Sequence, residues 1–256
     1  LIGIVLFGFI VLFFVASAMS SDQKPYVDSN SVLTLNFNGN VIDSYTEQEE
    51  SIFDFGKSKD VLLLDVINAI NNKKKKKKIK GISIEVDELP AGITQVDDIR
   101  AAIEDFKKSG KFVYAYGNNM SQKSYYLASV ADKIYLNPVG MIELKGMSTE
   151  VTFLKDFAAK YGIGVDVIRH GKFKAAVEPF IRNDISPENK EQLSTLLNDI
   201  WGNISTKIKA SRKLDDATFK TAVDSLYGFM PELVVKNKLA DQLLQKSEYE
   251  NLIKKQ

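Results

Sequence analysis

Ile79-Lys80-Gly81-Ile82-Ser83-Ile84-Glu85-Val86 is the stretch on which the fold turns. It is short, rich in β-branched residues and apolar at its centre, the pattern of a buried strand. Downstream, Val96, Ile99, Ile103 and Phe106 recur at helical spacing, and Phe112 to Tyr116 is again short, aromatic and β-branched. Strand, amphipathic helix and strand in succession make the repeating unit of a parallel sheet. Working outward, Val32 to Phe37, Lys133 to Leu136 and Val165 to Arg169 read as further strands. A second helical stripe, Leu193, Leu196, Leu197, Ile200, Ile204 and Ile208, is entered by Ser186 as N-cap and Pro187 in the first turn. Both stripes are expected to face the core. The expected fold class is α/β, with alternating strands and helices around a largely parallel sheet, and no fixed-period repeat points to a solenoid or propeller.

The 256 residues, 45% hydrophobic and 26% charged, can bury one substantial core. Lysines and arginines number 34 against 33 acidic residues, so a net charge of +1 supplies no overall field to gather nucleic acid, and none is expected as a partner. Cysteine is absent, which excludes disulfides, a thiol nucleophile and thiolate metal sites. His170 is the only histidine: a Ser-His-Asp triad would have to use it, a zinc site built mostly of imidazole is impossible within this chain, and a structural or surface role is expected. Phe55-Gly56-Lys57-Ser58 has the end of a phosphate-binding loop, but Ser51 stands where its first glycine is needed, and no G-x-G-x-x-G follows any strand. No metal or cofactor is expected.

Leu1 to Ser21 carries no charge, and Leu1 to Met19 matches the roughly 20 apolar residues that span a bilayer. The expected organisation is therefore a transmembrane anchor at 1–21 followed by a single domain at 22–256. Ala16-Ser17-Ala18 also fits the small-x-small rule of a cleaved signal peptide. Either reading places the domain beyond the cytoplasmic membrane. Lys73 to Lys78 is an unbroken run of six lysines, followed by Ile79 and Lys80. It reads as a solvated helix-to-strand loop, with contact to anionic lipid head groups as the alternative.

With thiol, metal and most histidine chemistry removed, lysine, serine and the carboxylates remain. Burial disfavours an ammonium, so a desolvated lysine can become a neutral amine able to take a proton from a serine hydroxyl. Composition does not say which lysine does so. Gly171-Lys172-Phe173-Lys174-Ala175-Ala176-Val177-Glu178-Pro179-Phe180-Ile181-Arg182-Asn183-Asp184, followed by Ser186-Pro187-Glu188, resembles the general-base motif of the long signal peptide peptidases of the protease IV type. Tyr125-Tyr126-Leu127-Ala128-Ser129-Val130-Ala131-Asp132-Lys133-Ile134-Tyr135-Leu136-Asn137-Pro138 resembles that family's helix and strand beyond the nucleophile position. The resemblance covers nearly the whole chain. It implies a Clp protease/crotonase-like fold and makes Lys174 the catalytic base of a Ser-Lys dyad. It further implies a bacterial inner-membrane, single-pass location, signal peptides as substrates, and assembly as a homo-tetramer.

The departures carry as much information. Counting back from Tyr125-Tyr126 puts Gln122 where the family's catalytic half has its serine, and glutamine cannot attack an amide. Ser121 and Ser124 flank it, but one helical position rotates a side chain by roughly 100 degrees. The glycine-rich turn that donates an oxyanion amide in the family reads Leu89-Pro90-Ala91-Gly92 here. The resemblance therefore implies the N-terminal half of an enzyme whose serine comes from a homologous C-terminal half. A non-catalytic, membrane-anchored scaffold and a crotonase-like enzyme acting on coenzyme A thioesters are the alternatives.

Overall fold

A computed structural model describes residues 28–44, 60–168 and 170–256. The expected anchor and the Phe55 to Ser58 stretch lie outside them. In chain order the elements are β1 (Ser31–Leu35), β2 (Val41–Ile42), β3 (Val61–Leu62), α1 (Leu63–Lys74), β4 (Ile79–Glu85), α2 (Ile93–Lys107), β5 (Phe112–Met120), α3 (Gln122–Ala128) and β6 (Lys133–Ile142). They continue with α4 (Lys155–Lys160), α5 (Glu178–Ile181), α6 (Pro187–Arg212), α7 (Asp216–Asp224), α8 (Pro231–Lys236), β7 (Gln242–Leu243) and α9 (Lys246–Lys254). Five strands form one sheet in the order β1-β4-β5-β6-β7, every neighbouring pair parallel. No helix among the described residues is long and apolar enough to cross a membrane.

The sheet is two-sided, as a parallel sheet must be, and the central strands are buried accordingly. Ile82, Ile84, Val113, Ala115, Ile134 and Leu136 are all fully buried. Against them lies α2, whose Val96, Ile99, Ile103 and Phe106 have no exposed surface, so the stripe read from sequence is core. Burying each such side chain stabilises the fold by roughly 1.5–3 kcal/mol. A separate aromatic cluster, Tyr116, Tyr135 and Tyr249, covers the β5–β6 surface, with Tyr116 and Tyr249 stacked at 4.9 Å.

Three expectations need correction. The strand ending at Leu136 continues to Ile142, because pairing with β5 lapses over 137–140 and resumes at Asn119 opposite Met141. Pro138 interrupts the ladder without ending the strand, since β7 pairs only with Tyr135 and Leu136 and leaves that side of β6 open. Val165 to Arg169 forms no strand over its described residues 165–168: Val165 and Ile168 are exposed and no sheet edge lies beside them. β-branched residues favour a strand only where a half-buried pleated surface is on offer. The second stripe is core only in its C-terminal half: Ile204 and Ile208 are buried, while Leu196 is 55% exposed and Leu193 and Leu197 are half-buried. Helix α6 begins as read, with the Ser186 hydroxyl accepting from Asn189 N, and its 26 residues reach about 39 Å, so that its first half extends beyond the core its second half joins.

The lapse in β6 brings two backbones unusually close. A Cβ on Gly140 would lie 2.0 Å from the carbonyl oxygen of Asn118, a contact no rotamer change relieves. Gly140→Ala is expected to lower stability by about 1–3 kcal/mol, the range for overpacking, in chemical denaturation of the full chain. Val139→Ala, at a position 88% exposed, should stay within about 0.5 kcal/mol of wild type.

Candidate active site

The C-terminal ends of β4 and β5 carry two of the places singled out by sequence, the 89–92 turn and Gln122. The chain leaves β5 at Met120 and enters α3 through Ser121, whose extended backbone and side chain cap the helix. The Ser121 hydroxyl accepts from Ser124 N at 3.3 Å and shares a hydrogen bond with the Ser124 hydroxyl at 2.9 Å. Ser124 is fully buried. Both flanking serines are thus held in the cap.

Gln122, the first residue of α3, is equally committed. Its Oε1 accepts from the backbone amides of Lys145 (3.1 Å) and Gly146 (3.0 Å), and its Nε2 donates to Gly146 O at 3.0 Å. A primary amide can donate and accept at once, so one side chain ties the start of α3 to the exit of β6. Gly146 sits at φ 83°, the left-handed backbone that lets the chain turn there.

The turn after β4 has no amide pair to offer an oxyanion. Pro90 lacks an N–H, Ala91 N donates to Leu89 O at 2.8 Å, and Gly92 N donates to Gln95 Oε1 at 2.7 Å. Lys123 Nζ donates to Ala91 O at 2.7 Å, and Val41 N to Pro90 O at 2.8 Å, so carbonyls of this turn are held as well. An oxyanion site needs preorganised donors aimed at the developing charge, and these point elsewhere. Asp87 makes the same economy one step earlier: its Oδ1 accepts from Asn118 N (2.6 Å) and Asn119 N (3.2 Å), the amides of the β5 irregularity.

Lys174 lies on the long excursion between β6 and α6. It is exposed and immediately precedes a single 3₁₀ turn, Ala175–Val177. The hydrogen bonds of Gln122 run to residues 145–146, so Gln122 and Lys174 do not share a partner through them. His170, four residues earlier, is exposed, in keeping with the surface role expected of it.

Glu178 anchors this segment as a buried support rather than a reacting group. It is fully buried, and its Oε2 accepts from Ser186 N at 3.2 Å and Asn189 Nδ2 at 3.1 Å. Hydrogen bonding from Ser186, side chain first and then backbone, together with Asn189, holds its carboxyl below the ordinary glutamate range. No periodic signal in the sequence identifies the amides that it binds. Leu154 N to Pro179 O (2.6 Å) and Asn183 Nδ2 to Asp156 Oδ1 (2.9 Å) close the excursion on itself. Between its extended residues 148–153 and α6 runs an apolar groove of about 400 Å³ lined by Val151, Phe153, Ile185, Leu193 and Leu197.

Comparison with known proteins follows from this geometry. The family described as Peptidase family S49 matches residues 105–256, more than half of the chain. The chain belongs to peptidase family S49. It is 33% identical over 221 residues to Protease 4 of Haemophilus influenzae, covering 83% of this chain and 36% of that protein. To Protease 4 of Salmonella typhi it is 34% identical over 214 residues, covering 79% and 35%. To the chloroplastic serine protease SPPA of Arabidopsis thaliana it is 34% identical over 177 residues, covering 69% and 25%. The chain therefore spans about a third or less of the length of these curated relatives. As a member of S49, it carries α3 and β6, Lys174 and the Glu178 anchor inside the matched region, and the 89–92 turn just before it.

Two outcomes are expected. Gln122→Ser in this chain should produce no peptidase turnover, because the nearby turn still offers no oxyanion donors; serine-reagent-sensitive cleavage of an unfolded peptide would contradict the site described here. For Glu178, a lowered carboxyl pKa contributes stability that is present above the ordinary value of 4.5 and lost as pH falls through the lower folded value. The difference in melting temperature between wild type and Glu178→Gln should thus be largest near neutral pH and shrink as the solution is acidified through that window.

Proposed function

We propose that this chain is the base-supplying half of a membrane-bound serine endopeptidase with a Ser-Lys dyad, Lys174 being the general base and a homologous C-terminal half bringing the serine. The observation that carries the reading is that Gln122 and the 89–92 turn have spent the groups that attack and oxyanion stabilisation need, which leaves the base as the part this half can bring. Lys174 is exposed, on a segment braced by a buried carboxylate. In this reading the fold is of the Clp protease/crotonase type. The neutral Lys174 amine takes the proton of the incoming serine as the serine oxygen attacks the peptide carbonyl; the C–N bond then breaks, the Lys174 ammonium returning that proton to the leaving amine, and water, deprotonated in turn by Lys174, hydrolyses the acyl-enzyme ester and gives back the serine hydroxyl.

Lysine is a base at neutral pH only when desolvated, and Lys174 is exposed in this chain alone. The partner half must therefore supply the burial, so the dyad is completed by docking. Signal peptides and similar apolar segments suit the groove beside α6, whose lining is mostly aliphatic and aromatic. Leu1–Met19 anchors the domain to the bacterial inner membrane on its extracytoplasmic side, and the exposed apolar residues of the excursion, Phe157, Tyr161, Ile163 and Phe173, are available to bury against other subunits of a homo-tetramer. The coenzyme A alternative is disfavoured by the consumed amides of the 89–92 turn.

In the enzyme assembled with its serine-bearing half, Lys174→Ala and Lys174→Arg are each expected to lower kcat/KM about 100-fold or more, with subunit mass and thermal unfolding unchanged. Arginine keeps the charge but does not deprotonate, which separates proton transfer from charge. Lys172→Ala is the control. Retention of more than about a tenth of wild-type activity by Lys174→Arg would remove the base from Lys174.

A further inference from the structure

The lysine run occupies the end of the sheet opposite the candidate site. Lys73 and Lys74 close α1, and Lys75 to Lys78 form the turn into β4. Lys111, just before β5, folds back and donates to the carbonyls of Lys73 (3.0 Å), Lys74 (2.9 Å) and Lys76 (2.8 Å), capping the helix and fixing the turn. Lys74 and Lys108 share Asp105, at 2.6 and 3.6 Å. Among the described residues, Lys75, Lys76, Lys77 and Lys80 have no carboxylate within ion-pair distance, and all four are exposed. This is a shaped surface, because Lys111 is spent on holding the backbone that presents the others.

Its position in the chain is informative. β1 enters the sheet beside this turn: Ser31 N donates to Lys78 O at 2.9 Å, and Ser31 pairs with Ile79. Asp28, whose carbonyl accepts from the Ser31 hydroxyl at 2.8 Å, is thus held beside the lysine corner. Only Ser20 to Val27 separates the end of that run at Met19 from Asp28, a reach of at most about 30 Å even if fully extended. The opposite end of the sheet, with Gln122 and the 89–92 turn, lies one strand length away, about 23 Å for the seven residues of β4.

We infer that Lys75, Lys76, Lys77 and Lys80 form a docking surface for the anionic head groups of the bilayer in which the chain is anchored. The inference rests on the anchoring reading of Leu1–Met19. It explains why a chain of net charge +1 concentrates unpaired cations at one corner: tethering brings that corner to the membrane, and each lysine near an anionic surface strengthens the contact by a factor of about five. Docking orients the sheet axis away from the bilayer and holds the candidate site clear of it.

The full chain, reconstituted into phosphatidylcholine vesicles with and without phosphatidylglycerol, is exposed to a water-soluble amine-acylating reagent, and labelling is read by mass spectrometry. Lys75, Lys76, Lys77 and Lys80 should label several-fold more slowly on the anionic vesicles, while Lys145 at the far end of β6 labels equally on both. The protection should disappear in about 1 M salt, where the Debye length falls to about 3 Å. Equal labelling on the two vesicles overturns the proposal, as does equal protection by duplex DNA at the same phosphate concentration, which would assign the surface to nucleic acid. The carbonate-washed pellet reports the anchor separately. If the chain is extracted by carbonate yet cosediments, salt-sensitively, with anionic vesicles alone, and Lys75→Gln/Lys76→Gln/Lys77→Gln/Lys80→Gln abolishes this, the docking surface stands without the anchor. Failure to cosediment with either vesicle overturns both.

Discussion

The parallel ladder between Gly81–Glu85 and Phe112–Tyr116, extended to β1 on one side and β6 on the other, is the constraint from which the rest follows. Parallel strands cannot be joined by a tight turn, so every connection must travel back along the sheet, here through α1 before β4, α2 before β5, α3 before β6 and the helices α4 to α8 before β7. All strand starts then gather at one end and all strand exits at the other. The lysine corner and the entry of β1 lie at the first end, and the 89–92 turn, the start of α3 and the Lys145–Gly146 turn at the second. Residues far apart in sequence become neighbours because strand polarity leaves them no other place.

Within that frame, α3 is only seven residues long and could not hold its angle alone. Its fixture is Arg100 of α2, 2% exposed, whose guanidinium donates to Tyr126 O, to Ser129 Oγ at 2.7 Å and to Ser211 Oγ at 3.1 Å while lying 4.4 Å over the Tyr126 ring. Desolvation lowers its pKa, and neighbouring Tyr126, Glu104 and Asp97 oppose that shift. Arginine tolerates such burial because its planar fork distributes one charge over several donors. The Tyr126 hydroxyl continues the network to Asp97, which also meets Lys207 at 2.8 Å and Asn203 at 3.1 Å. One buried cation thereby joins α2, α3 and α6, and a partner lost from it would leave a charge stranded in the interior.

The sequence makes the sheet legible where side chains speak through burial. The Ile79 to Val86 run and the Val96 to Phe106 stripe became a central strand and a core helix because nothing but apolar contact decided them. Val165 to Arg169 misled for the same reason: its residues have strand propensity, but propensity is realised only against a neighbouring strand. Leu193, Leu196 and Leu197 are as periodic as Ile204 and Ile208, and periodicity does not state where the core ends. At the site, Gln122 could be placed by its distance from Tyr125-Tyr126, and the weakness of the 89–92 turn by Pro90. The bonds from Gln122 to Gly146, from Gly92 to Gln95 and from Glu178 to Ser186 and Asn189 could not, because a single hydrogen bond leaves no pattern in composition or spacing.

These particular bonds determine how Lys174 is positioned. Among the described residues, the excursion that carries it is tied to the rest of the fold at Gly146 by Gln122 and at Glu178 by the start of α6. From Gly146 the chain could reach Lys174 across far more than the width of the domain, so that root sets its direction only loosely. From Glu178, four residues away, the reach is at most about 13 Å. The start of α6 therefore confines Lys174 more closely than Gly146 does, and the far half of α6 is locked into the core by Ile204 and Ile208 and tied to Arg100 through Ser211. The glutamine that ties the start of α3 to Gly146 and the glutamate that braces the excursion act on opposite ends of the same segment. Of the two, it is the buried carboxylate, through the helix it caps, that connects Lys174 to the sheet.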